Sequence, residues 1–197
     1  MMQEQLDSNT VIHKNVELEL NTSLKNFQEL FSDLNENLTN IVPFEGSWTA
    51  GQLARHVIKV NSGFLKQLTG PVKDTNRKYD ELAEGIRISL SVHKIRMKSP
   101  EYVQPELIDY TKKELLDSIK EINDALIQSV KSVDMTKTCL LFEVPFLGYL
   151  TRLEAVYFVT YHTQRHINQM KNIIESLGEN KKRKEYRHAK DNPTSVV

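Results

Sequence analysis

Two histidines lie four residues apart in the stretch YFVTYHTQRHINQM, residues 157–170. At roughly 100° per residue, His162, His166 and Gln169 share one strip of a helix with Ala155, Phe158, Val159 and Ile173. The histidines therefore sit on an apolar face. Residues spaced i and i+4 have Cβ atoms about 6 Å apart, close enough for two imidazoles to share one metal ion. A third imidazole is available at His56, between Leu53 and Val60 on the apolar stripe of an earlier helix. Two helices of a bundle can bring three imidazoles to one point. A three-histidine site keeps coordination positions open for water or substrate, as catalysis requires. A divalent ion held there makes a bound water acidic, or steadies a thiolate or oxyanion. Zinc, nickel, copper and iron all accept such a donor set.

The competing reading makes each histidine a core group whose polar atoms are satisfied by neighbours. One histidine on an apolar face favours that reading; three on two apolar helices favour the metal site. Gln169 is a candidate partner for a ligand histidine or a bound cofactor, because ligating imidazoles give their second N–H to an outer acceptor. It reads equally as a buried amide bonded to backbone. No carboxylate lies on the ligand strip, so no catalytic acid or base is assigned. Trp48, just ahead of the second helix, is read as capping the bundle end. Tyr157, Phe158 and Tyr161 are read as core, and Arg165 as a surface ion-pair partner. His93 is read as surface or a pocket rim, and His13 and His188 fall in the chain ends. Cys139 has no activating base near it in sequence and is not proposed as a nucleophile.

Positioning imidazoles from two helices requires long helices packed side by side. Leu20, Leu24, Phe27, Leu30, Phe31 and Leu34 give helical spacing within a first helix over about 14–37, broken by Pro43 and Gly46. Thr49 and Gln52 form a capping box for a second helix carrying Leu53, Val57, Val60, Phe64 and Leu68, ended by TGP at 69–71. Residues 72–104 form a long crossover with a short helix near 79–90. A third long helix is predicted over 105–131, with Pro105 in its first turn and Leu107 and Ile108 on its buried face. Residues 138–149 read as extended or looped, because Pro145 and Gly148 exclude a continuous helix. Thr151 and Glu154 make a second capping box, and a fourth helix is predicted over 152–177, stopped by Gly178. The outcome is an all-α four-helix bundle over residues 1–178, followed by a charged, flexible tail over 179–197.

Composition narrows the function classes. The chain has 197 residues, 39% hydrophobic and 26% charged, with a formal net charge of zero. No global field draws such a chain to nucleic acid or to a membrane. The run Lys181, Lys182, Arg183, Lys184 is offset by Glu185 and reads as a solubilising segment. A single cysteine excludes an internal disulfide and a multi-cysteine zinc cluster. No apolar run is long enough to span a bilayer, and MMQEQLDSNTV lacks the basic and apolar regions of a secretory signal, so a cytoplasmic location is expected.

WTAGQLARHV at 48–57 and GYLTRLEAVYFVTYHTQRHINQM at 148–170 resemble the DinB-like superfamily, which includes YfiT-type metal-dependent hydrolases and bacillithiol- and mycothiol-dependent S-transferases. The shared pattern is a Trp–Ser/Thr opening of the second helix with a histidine further along, and a histidine pair on the last helix, often followed by Gln. His56, His162, His166 and Gln169 occupy those positions, and the resemblance covers about residues 15–177. The glycine usual after the second histidine is replaced by Ile167-Asn168. The resemblance implies an up-down-down-up bundle, a divalent metal (zinc or nickel), a low-molecular-weight thiol as possible co-substrate, and a homodimer. The resulting expectation is a metal-dependent S-transferase or hydrolase acting on a small molecule, with His56, His162 and His166 as ligands. The alternative is a non-catalytic dimeric module in which the cluster is structural or binds a small ligand.

Overall fold

Four long helices bury their apolar stripes against one another. The structure, a computed structural model, describes the backbone of residues 2–91 and 99–191 and the side chains of residues 14–91 and 99–178. The helix α1 spans Met2–Asp33, α2 Ala50–Thr69, α3 Ala83–Ser91, α4 Lys112–Ser132 and α5 Arg152–Asp191. Two short strands, β1 (Val72–Lys73) and β2 (Thr138–Cys139), pair antiparallel with Val72 opposite Cys139.

Cross-helix contacts give the directions. Asn123 of α4 donates to Gln28 and Leu24 of α1, and Lys131 pairs with Glu17, so α1 and α4 run antiparallel. Gln164 of α5 meets Ser23, and Ser176 meets Pro43 beyond the far end of α1, so α1 and α5 run parallel. Arg152 at the start of α5 donates to the carbonyl of Leu68 at the end of α2, making that pair antiparallel. One core cluster joins Leu53 and Val57 to Leu115 and Ile119, and the other joins Phe64 and Leu68 to Leu126 and Val130, so α2 and α4 run parallel. The arrangement is up-down-down-up. It needs the long crossover between α2 and α4, because parallel neighbours cannot be joined by a tight turn.

Both capping boxes form. Thr49 Oγ1 accepts from Gln52 N at 3.1 Å and Gln52 Oε1 from Thr49 N at 3.0 Å. Glu154 Oε2 accepts from Thr151 N at 2.9 Å and Thr151 Oγ1 from Glu154 N at 3.2 Å. Each satisfies amides that the first helical turn leaves unpaired, worth about 1 kcal/mol per cap. Gly51 follows the first cap because a Cβ there would sit 3.2 Å from the Thr39 carbonyl, to which Gly51 N already donates at 2.8 Å.

Several sequence expectations are corrected. α1 starts at Met2, well before residue 14. α4 begins at Lys112, not at 105, and Leu107 and Ile108 are 85% and 59% exposed. The reason is competition from distant partners. Asn40 brackets Tyr110, its Oδ1 accepting from Tyr110 N and its Nδ2 donating to Tyr110 O, while Glu106 is drawn to α2. α3 begins at Ala83 because the preceding residues are tied elsewhere: Thr151 Oγ1 donates to Tyr79 O, and Leu82 N donates to Glu154. α5 does not stop at Gly178. Left-handed backbone occurs at Gly46 and Gly148 but not there, so Gly178 stays helical. A helical glycine costs about 1 kcal/mol relative to Ala, and the flanking Glu and Lys residues are good helix formers. Among the described residues, no helix is long and apolar enough to cross a membrane.

Candidate metal centre

The bundle has two core clusters stacked along its length. One contains Val60, Phe64, Val156 and Val159; the other contains Leu53, Val57, Met170 and Ile173. On α5, His162 and His166 fall between them in sequence, while His56 on α2 lies among Leu53, Ala54 and Val57 of the second cluster, a few residues before Val60 of the first. The antiparallel packing of these two helices brings the three rings together, with centroids 4.3 to 5.2 Å apart and planes tilted or edge-on to one another. The exposures of His56, His162 and His166 are 2%, 8% and 7%.

Their Nε2 atoms converge. His56 Nε2 lies 3.3 Å and His166 Nε2 3.0 Å from His162 Nε2, and the three candidate ligand atoms all lie within 4.8 Å of one another. Nitrogens bound to one tetrahedral zinc at about 2.0–2.1 Å stand about 3.3 Å apart. Among the described residues, this is the one cluster of three or more histidine, cysteine, aspartate or glutamate side chains with ligand spacing.

Hydrogen bonds on the far side of two rings decide where the protons sit. His56 Nδ1 is 2.8 Å from the Val103 carbonyl, which can only accept, so Nδ1 carries the hydrogen and Nε2 keeps its lone pair. His166 Nδ1 is 2.9 Å from Gln169 Oε1, with the same consequence. His162 Nδ1 is buried and has no hydrogen-bond partner among the described residues. A proton on His162 Nε2 serves the two facing lone pairs only in part and leaves Nδ1 as a bare acceptor. A proton on Nδ1 leaves three lone pairs facing one another. A divalent cation turns that mutual repulsion into attraction, so the donor set fits a metal.

Burial keeps all three rings neutral and therefore able to donate lone pairs. It pushes His166 down to about 3, aided by His56 and Arg165 and opposed by the Gln169 hydrogen bond. His162 is driven well below the usual imidazole range by burial, and then by His166, His56 and Arg165. His56 is lowered by burial, partly offset by the Val103 carbonyl, with Lys59 adding to the lowering. Aromatic rings complete the surroundings. Trp48 has its ring centroid 5.0 Å from that of His56, and Phe158 stacks on His162 at 5.7 Å and 17°.

A sequence profile of the DinB superfamily matches residues 19–170, a span containing all three histidines and Gln169. The chain belongs to the DinB superfamily. It is 27% identical over 157 residues to the uncharacterised protein YuaE of Bacillus subtilis, covering 78% of this chain and 93% of that one. Two solved structures share the fold. TT2238, described as a four-helix bundle protein, aligns with a TM-score of 0.53 at 19% identity, over 81% of this chain and 98% of its own. YfiT from Bacillus subtilis, described as a probable metal-dependent hydrolase with an unusual four-helix bundle topology, aligns with a TM-score of 0.52 at 14% identity, over 84% and 87%.

The structure thus brings together the four residues singled out by spacing and resemblance. His93 lies outside the described residues, as do the side chains of His13, His188 and Lys181 to Lys184. Trp48 lies against a ligand candidate instead of only closing the bundle end, and Phe158 is a ring partner of His162 as well as core. Val103, Lys59 and Glu106 escaped sequence reasoning. Val103 acts through its backbone carbonyl, which no residue type announces.

Proposed function

We propose that this DinB-superfamily member is a metal-dependent enzyme acting on a small molecule, by thiol S-transfer or hydrolysis. His56, His162 and His166 hold the divalent ion, with zinc or nickel the fitting choices. One observation carries the reading: three buried imidazoles turn their Nε2 atoms to one point while Val103 and Gln169 hold two of the opposite nitrogens. An ion bound there lowers the pKa of a coordinated water, or stabilises a thiolate or oxyanion.

The chain's own residues perform the remaining work. The Val103 carbonyl and the Gln169 amide keep protons on Nδ1 and direct lone pairs inward. Trp48 and Phe158 shield two of the rings from water and fix their orientation. Among the described residues no carboxylate joins the trio to act as a general base. A small thiol, or water made acidic by the bound ion, suits such a donor set. The homodimer and cytoplasmic setting implied by the family resemblance belong to this proposal.

A second reading, a structural metal or a polar clasp in a non-catalytic module, is favoured by the near-complete burial of the rings. Metal-loaded protein mixed with low-molecular-weight thiols and electrophiles, and separately with ester and amide substrates, separates the two. Thiol-dependent turnover marks a transferase, and thiol-independent turnover a hydrolase. Either must vanish in the His162→Ala/His166→Ala double variant. Bound metal without turnover in any assay gives the structural reading precedence.

A further inference from the structure

The two anchored rings of the centre are anchored differently. His166 is held by Gln169, three residues along the same helix. His56 depends on a carbonyl 47 residues away, on a segment whose regular structure is one 3-10 turn, Glu101–Val103. A carbonyl on a free loop is a poor guarantor of a tautomer, so something must hold that segment in place.

The fastening comes from the same turn of α2 that carries the ligand. Lys59 Nζ donates to the Gln104 carbonyl at 2.7 Å and pairs with Glu106 Oε1 at 2.7 Å. Arg55 Nε donates to Glu106 Oε2 at 3.2 Å, and Tyr110 Oη to the same oxygen at 2.9 Å. Gln104 Nε2 reaches back to the Ser99 carbonyl at 2.8 Å, closing the segment on itself. Lys59 thus grips the residue immediately after Val103 and the carboxylate two positions further on.

We infer that Lys59 and Glu106 are positioning residues for His56: they strap residues 99–106 to α2 so that the Val103 carbonyl fixes the tautomer and orientation of the imidazole. The role rests on the metal reading above, because a fixed lone pair on Nε2 serves a bound cation. The strap acts on His56 and not on His166, and that asymmetry makes the inference testable inside one molecule.

The variants are Lys59→Met and Glu106→Gln, with Lys59→Arg as the conservative control. Both sites are partly exposed, so the bundle core is untouched. Long-range 1H–15N spectra of the metal-free protein report the tautomer of each imidazole. In wild type His56 carries its proton on Nδ1. In both variants the His56 signals move to a mixture of tautomers while those of His166 stay unchanged, and Lys59→Arg behaves as wild type. Zinc affinity, measured by competition with a chromogenic chelator, falls about 3- to 10-fold in the variants. That is less than the 10- to 100-fold typical of losing an outer partner outright. Unchanged His56 tautomer in both variants overturns the strap. A shifted tautomer with zinc affinity within twofold of wild type overturns its service to the metal. If wild-type protein binds no zinc, the metal reading fails, and the spectra alone still decide whether the strap governs His56.

Discussion

Two of the carboxylate–cation ties that hold the crossover between α2 and α4 differ in depth. Near its start, Arg77 forms a bidentate pair with Glu154 at 2.5 and 2.6 Å, and the Glu154 side chain is fully buried. Near its end, Glu106 meets Lys59 and Arg55 with its side chain 44% exposed. A buried charge stripped of its partner is costly, whereas an exposed pair contributes at most about 1 kcal/mol. The first tie therefore holds the fold together. The second contributes little to stability and is placed to orient His56. Similar chemistry serves different ends because solvent reaches one and not the other.

The largest expected effect comes from breaking the buried tie. Arg77→Met should lower unfolding stability by about 3 kcal/mol, since Glu154 keeps the amides of Thr151 and Leu82 but loses its cation. Denaturant titration measures it. A change below about 1 kcal/mol would remove the contrast between the two ties. Zinc affinity of the folded fraction should stay unchanged, because Arg77 approaches none of the rings.

Gln169→Met tests the site directly. Losing the partner of His166 Nδ1 should weaken metal binding about 10- to 100-fold with little loss of stability. Trp48, the single tryptophan, sits beside His56, so quenching by nickel offers the titration signal.

Acid should loosen the histidine centre before the exposed tie. Burial lowers the folded pKa of His166 to about 3, so the unfolded chain binds the proton first as pH falls. The stability that this group confers is fully present above about 6.5 and is lost progressively from there down towards 3. For His166 alone, metal-free protein should lose about 2 kcal/mol between pH 7.5 and pH 5. Glu106 shifts in the same direction but in a lower window: Lys59 above all holds it at about 2, so its contribution is present above the ordinary carboxylate range and is lost only as pH falls from there towards 2. Thermal melts at both pH values, on wild type and His166→Gln, check the order; an equal loss in the variant would contradict it.

The smallest effect is expected just beyond the strap. Leu107→Ser and Ile108→Ser should change stability by no more than about 0.5 kcal/mol, because both side chains point to solvent. A loss of 2 kcal/mol or more would mean that these residues belong to a buried helix face after all.

What the sequence made legible was local. The capping boxes at Thr49 and Thr151, the apolar stripe of α2 and the His162/His166/Gln169 strip lie within a few residues of their partners, so helical spacing reveals them. His56 joined the set because it shared an apolar helix face. The missed features depend on contacts between distant residues. Leu107 and Ile108 have helical spacing, yet Asn40 and Lys59 hold their segment out of the helix from 70 and 47 residues away. The Val72–Cys139 pairing joins two strands too short to show a pattern. Gly178 was misleading because a glycine ends a helix only where the backbone turns left-handed, and here it does not.

Everything proposed for the site depends on three imidazoles holding one metal ion. Elemental analysis of untagged wild type and of the His162→Ala/His166→Ala double variant, purified identically, tests it most directly. Wild type should carry close to one equivalent of zinc or nickel, and a variant that remains folded should carry none. Wild type that stays free of metal after both ions are supplied would contradict it and leave the trio as polar groups of the core.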